Sequence, residues 1–97
     1  MIQTGLAWLG YSETPGWNLN VGTGNRFFTS TDIPFDPPFA SPPKVALALG
    51  GVDSGHDTNL RIILTPFDVD VREFNIRINT WGDTVIFQVW VTWIAFD

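Results

Sequence analysis

The chain has 97 residues, 44% apolar and 14% aromatic, with five Trp and eight Phe but only 15% charged. This balance excludes intrinsic disorder, which needs the reverse, and the length fits one domain, taken here as residues 1–97. A net charge of −5 with five scattered basic residues argues against binding to a nucleic-acid backbone or an anionic membrane surface, and the lack of cysteine removes disulfides and thiolate metal sites.

Met1-Ile2-Gln3-Thr4-Gly5 has no basic n-region and no long apolar h-region, so no secretory signal is expected there. No apolar run approaches the ~20 residues of a membrane span. The expectation is a soluble protein without membrane insertion, its compartment open and any export by another route. Helix periodicity is nearly absent, and short runs of Val, Ile, Thr, Phe and Trp recur between turn clusters. The first predicted strand is Ile2–Leu9, followed by a polar, Gly-rich loop from Gly10 to Asn25. A second strand covers Arg26–Phe35. The segment Asp36–Pro43 is too proline-dense for sheet pairing. Lys44–Val52 is the third strand, with Asp53-Ser54-Gly55-His56-Asp57 as the turn to a fourth at Asn59–Phe67. Arg72–Trp81 is the fifth, and Gly82-Asp83 turns into a sixth, Thr84–Phe96.

Six strands at this spacing predict an antiparallel sandwich or barrel. In the fifth strand Phe74, Ile76 and Ile78 share one face, with Asn75, Arg77 and Asn79 on the other. The sixth is apolar on both. Val85, Phe87, Val89, Val91 and Trp93 are read as core, and Ile86, Trp90 and Ile94 as a face covered by another copy of the chain.

Catalytic material is thin. His56 stands alone between Asp53 and Asp57, which reads as a solvated turn rather than a metal or catalytic site. Asp68 and Asp70 alternate, as edge charges that discourage strand aggregation do. No cofactor is expected. Gly22-Thr23-Gly24 precedes a strand, so it lacks the helix that a phosphate cradle needs. The richer constellation joins Asn59-Leu60-Arg61 to Asn79-Thr80-Trp81-Gly82-Asp83-Thr84. If brought to one end, these segments offer an indole plane, a guanidinium, amides and carboxylates. A sugar needs that combination: an aromatic face for its C–H patch and planar partners for its hydroxyls. The other reading is structural, with Trp81 packing over the sandwich end and Arg61 paired with a nearby carboxylate.

The run Phe35-Asp36-Pro37-Pro38-Phe39-Ala40-Ser41-Pro42-Pro43-Lys44-Val45-Ala46-Leu47 resembles the F-x-x-P-F-x-x-P-P-x-V-x-L signature of the H-type lectin family. Asn59-Leu60-Arg61, Phe74, Thr80-Trp81-x-x-Thr84 and Val89-x-Val91-x-Trp93-Ile94-Ala95 follow at the family's distances, and Ile2-Gln3-Thr4-Gly5 resembles its start. The resemblance implies a six-stranded antiparallel β-sandwich that forms a homotrimer, or two trimers stacked as a hexamer. It also implies metal-free binding of galactose or N-acetylgalactosamine in clefts between protomers. The sugar-binding Arg and stacking Trp of the family match Arg61 and Trp81. Gly82 stands where a snail member has His, and Phe87 where the family has a Tyr that reaches the sugar. The family's loop Asp falls near Gly24 and Asn25, with Asn25 a neutral substitute and Asp83 a carboxylate from the opposite wall. These departures imply a changed sugar specificity. A lectin is therefore the leading expectation, a structural or adhesion module such as a trimeric fibre tip the runner-up, and an enzyme the last.

Overall fold

The computed structural model describes residues 1–97. Seven strands form: β1 (Ile2–Gly10), β2 (Arg26–Thr29), β3 (Ile33–Pro34), β4 (Lys44–Ser54), β5 (Ile63–Phe67), β6 (Glu73–Thr80) and β7 (Ile86–Phe96). All pairings are antiparallel and fall in two sheets. One is β1-β7-β4; in the other, β6 pairs β2 and β3 along one side and β5 along the other. The all-β sandwich expected from the sequence is there, with seven strands instead of six.

The extra strand arises because the predicted Arg26–Phe35 strand breaks in two. At the break Ser30 puts its hydroxyl into the ladder in place of its carbonyl, accepting from the Ile76 N–H at 2.8 Å. The displaced Ser30 carbonyl accepts from Asn75 Nδ2 at 2.9 Å, and the same amide donates to Asp32 Oδ1 at 3.0 Å. The chain can bend there because these side chains satisfy the groups that the ladder releases.

Aromatic rings fill the space between the sheets. Phe35 stacks on Phe74 at 5.4 Å and meets Phe39 edge-on at 5.0 Å, while Trp93 approaches Phe74 at 5.1 Å. Phe74, Ile76 and Ile78 are fully buried, as the alternation in β6 predicts. The Trp93 indole lies over Gly5, its cross-strand partner, where a Cβ would come within 2.5 Å of Cε2. Gly5→Ala is therefore expected to destabilise the protein by about 2–3 kcal/mol through overpacking. The check is chemical denaturation, with a lower midpoint at an unchanged slope.

The last strand corrects the sequence reading. Val89, Val91, Trp93 and Ala95 are buried, but so is Ile86, which belongs to the core and not to a subunit interface. The cause is a bulge. Gln88 pairs with Asp53 and Ile86 with Ser54, leaving Phe87 without a partner in β4. One extra residue swaps the faces on either side of it. Phe87 thereby leaves the row of core residues and meets exposed Tyr11 edge-on at 5.9 Å.

The loop Gly10–Asn25, polar by composition, also feeds the core. Leu19 is fully buried. Trp17 packs on Phe28 at 5.1 Å and donates from Nε1 to the Ile86 carbonyl at 3.0 Å. On the far side of the β1-β7-β4 sheet, Ile2, Leu6, Trp8, Ile94 and Phe96 stay exposed. No helix of the chain is long and apolar enough to cross a membrane.

Candidate functional site

Two buried threonines frame the turn between β6 and β7. Thr80 ends β6, and its Oγ1 donates to the Arg61 carbonyl at 2.6 Å. Thr84 stands just before β7 and donates to the Asn59 carbonyl at 2.6 Å. The segment Asn59–Arg61 is hung from these hydroxyls and is not a strand; β5 begins only at Ile63. The spacing in Thr80-Trp81-Gly82-Asp83-Thr84 therefore has a mechanical reason. Each threonine holds one of two carbonyls that lie two residues apart.

Arg61 then folds back across the turn. Its Nη1 donates to Asp83 Oδ1 at 2.7 Å and to Thr84 Oγ1 at 3.3 Å. Gly82 makes this possible. Its φ is 68°, and a Cβ there would lie 2.8 Å from Arg61 Nη1 and 3.0 Å from Cζ. The Arg61 hydrogen bond holds the Asp83 carboxyl below the usual carboxylate range. A depressed folded-state pKa means the pair contributes above the ordinary value near 3.8 and is lost as pH falls through the folded one. The pair thus stays ionised through the neutral range. Gly82→His places a side chain where the guanidinium lies and a β-carbon at a left-handed φ. It is expected to cost about 1–2 kcal/mol and to expel Arg61 from the turn. A proton spectrum of the Arg61 side chain, read beside a melting curve, checks this.

Trp81 is on the same turn as Asp83 and is 40% exposed. The other four indoles, Trp8, Trp17, Trp90 and Trp93, all pack against another ring; Trp81 does not.

Arg26 is the residue that sequence reasoning missed. Its guanidinium donates to the carbonyls of Val21 (2.8 Å), Gly24 (3.1 Å), Gly82 (3.2 Å) and Thr84 (2.7 Å). The Gly24 N–H adds a bond to the Gly82 carbonyl at 2.9 Å. One side chain thus ties the Gly22-Thr23-Gly24 loop to the Trp81 turn. The signal available in the sequence was an arginine two residues after Gly24, in a chain with only five basic residues.

Of the residues expected to form the site, Arg61, Gly82, Asp83 and Gly24 come together through these bonds, with Trp81 on the same turn. Asn25 is exposed between Gly24 and β2, next to the clamp but without a hydrogen bond to it. Phe87 stands apart: its carbonyl accepts from the Tyr11 N–H at 2.9 Å, and its ring meets Tyr11. His56 and Asp57 pair at 3.2 Å as a solvent-exposed couple. Asp70 Oδ1 accepts from the N–H groups of Arg72 and Glu73, which makes it a turn cap. A hydrogen bond between Asp32 and Glu73 keeps the Glu73 carboxyl protonated to higher pH than usual, and lowers Asp32. These two line an open cleft of about 460 Å³ with Asp68, Asp70 and Asn75. A second cleft of about 340 Å³ lies beside Lys44 and Asp97. Neither cleft includes Arg61 or Trp81.

A curated protein of Fuscovulum blasticum, described as "ATP synthase subunits region ORF 7", is 34% identical over 80 residues, covering 82% of this chain and 69% of that protein. Among solved structures, wild-type discoidin II of Dictyostelium discoideum superposes over the whole chain with a TM-score of 0.85 at 22% identity. The native structure of recombinant discoidin II gives 0.84 at 23%. The chain spans 36% and 37% of those two proteins' length, so the likeness is to one part of each, and at this identity it is a likeness of fold. The model of the H-type lectin domain matches residues 30–96, from the Ser30 break through the end of β7, and the chain belongs to that family.

Proposed function

We propose that this chain is a non-catalytic, carbohydrate-binding lectin domain that works as a homotrimer and holds its sugar at the Arg61–Trp81 ledge. The observation that carries this reading is the 40% exposed Trp81 on the same turn as Asp83 and Thr84, which fix the Arg61 guanidinium. The indole offers a face to a pyranose C–H patch, and the guanidinium and carboxylate offer partners to its hydroxyls. Arg61 and Trp81 line neither cleft of the single chain, and in this reading a neighbouring protomer completes the site, with exposed Ile94, Ile2 and Phe96 giving the apolar surface for that assembly. Gly24 and Asn25 sit at the rim of the ledge, and Phe87 lines the site from the partner side. Galactose or N-acetylgalactosamine is the ligand class, with specificity altered by Gly82, Phe87 and Asn25. Single sites of this kind bind weakly, and a trimer, or two trimers stacked, gains by engaging several sugars on one surface. Calorimetric titration with galactose and N-acetylgalactosamine, read beside the mass in solution, tests the proposal. Heat of binding from a trimer supports it. A folded trimer that binds neither sugar at millimolar concentration points to the structural or adhesion role instead.

A further inference from the structure

The outer face of the other sheet, built on β6, carries a cation that no carboxylate answers. Phe74, Ile76 and Ile78 point into the core, so Asn75, Arg77 and Asn79 alternate with them on the outside. Arg77 lies in register between Thr29 of β2 and Thr65 of β5. Its Cζ stands 3.8 Å from the centroid of the Phe67 ring and 4.6 Å from that of Phe27. Those two rings come from strands on opposite sides of β6.

Arg77 Nε donates to Thr29 Oγ1 at 3.0 Å, while Nη1 and Nη2 have no partner in the chain. The chain has ten acidic residues, yet its ion pairs involve only the N-terminus, His56 and Arg61. No buried side-chain nitrogen or oxygen lacks a partner, so both unpaired Nη groups reach solvent. The Asn79 amide, one row further along the same face, is also unpaired and accessible by the same criterion. It lies in register between Phe27 and Ile63, which are 53% and 51% exposed. Rings against a guanidinium displace water from its faces and fix its plane, which leaves the edge for hydrogen bonding.

We propose that Arg77 and Asn79, flanked by Phe27 and Ile63, form a second site that takes a sugar bearing a single carboxylate, of the uronic-acid or sialic-acid class. The carboxylate accepts from the Nη1–Nη2 edge in a charge-assisted, bidentate pair. The Asn79 amide bonds a hydroxyl or acetamido group, and Phe27 and Ile63 flank the C–H surface of the ring. The direction of the ligand follows from charge. Towards the other end of β6, Asn75 Nδ2 is bonded to Asp32 at 3.0 Å, and Glu73 lines the same cleft as Asp32. A sulfated chain or a nucleic acid laid along β6 would run onto those carboxylates, whereas a single carboxylate with its neutral body over Asn79 avoids them. The site also lies on the opposite side of the sandwich from Ile2, Ile94 and Phe96, so assembly through that surface leaves it uncovered.

This inference rests on the proposed function only for sugar as the ligand, and it concerns different residues. The Arg77 Nε–H signal of the full chain, followed by nitrogen-15 NMR, reads the site directly. Methyl β-glucuronide and the methyl α-glycoside of N-acetylneuraminic acid serve as probes, with methyl β-glucoside and acetate as controls. The expected result is a saturable shift with at least one acidic sugar and none with methyl β-glucoside. That shift should persist in Trp81→Ala, whether or not the first site binds galactose. The dissociation constant should rise about tenfold in Arg77→Gln and several-fold in Asn79→Ala. Should Arg77→Gln loosen the two rings, the signal of the wild-type protein still decides. The inference is overturned if both acidic sugars leave that signal unmoved at tens of millimolar, or if methyl β-glucoside moves it equally. It is also overturned if acetate binds as tightly as the sugars, since Asn79 and Phe27 then contribute nothing.

Discussion

Trp81→Ala and Arg61→Ala are each expected to reduce glycan binding by at least about tenfold, with the fold and the mass in solution unchanged. The indole contributes through stacking, and a ring lost from a sugar site removes about 1–2 kcal/mol. Arg61 contributes through a charge-assisted bond that is already oriented, because Asp83 and Thr84 hold the guanidinium before a ligand arrives. Asp83→Asn separates the two functions of that pair. It keeps the shape of the turn, removes the charge that fixes Arg61, and should weaken binding less than Arg61→Ala does. Calorimetry on the three variants, with light scattering on the same samples, reads the order. Binding that survives both alanine substitutions places the sugar elsewhere.

Arg26→Ala is expected to cause the largest loss of stability of any change at the ledge, about 2–4 kcal/mol. Its four carbonyl partners belong to two segments that no strand pairing joins. Hydrogen bonds from a charged donor contribute about 1.5–3 kcal/mol each, though not additively and less where they are exposed, and the part-buried Thr84 carbonyl, left without this partner, adds to the loss. Arg26→Lys should recover little, because one ammonium cannot serve a planar array of acceptors. Thermal unfolding measures the loss. Hydrogen exchange should show the Gly24 N–H, bonded to the Gly82 carbonyl, losing protection first. Equal stability of Arg26→Lys and the wild type would show that charge alone, without geometry, ties the loop to the turn.

The sheet and its burial were legible wherever side chains follow a period of two. Phe74, Ile76 and Ile78 alternate, and the fold buries each of them. What the period could not reveal were points where one residue breaks it. The bulge at Phe87 transfers Ile86 to the core, although a strict alternation in β7 puts it outside. The bend at Ser30 depends on a hydroxyl standing in for a carbonyl, with Asn75 brought from 45 residues away in sequence. No local propensity encodes that exchange. Leu19 and Trp17 lie in a loop whose composition is polar, and they enter the core only because the loop folds over the end of the sandwich.

The ledge was legible to a different degree. Arg61 and Trp81 stand out as residue types, and the resemblance of their spaced motifs to the family made them candidates. The arrangement that orients Arg61 was not visible, because it needs the φ of Gly82 and the two threonine bonds to known carbonyls. Arg26 was hidden for the same reason. An arginine that binds only carbonyls has no partner type in the sequence to reveal it.

Sugar binding at Arg61 and Trp81 is decided by a glycan array on the wild-type protein beside Trp81→Ala at equal concentration. Galactose-type or N-acetylgalactosamine-type glycans are expected on the wild-type array, and their loss in the variant. An identical set of bound glycans from both proteins, or no bound glycan from the folded wild type, would contradict it.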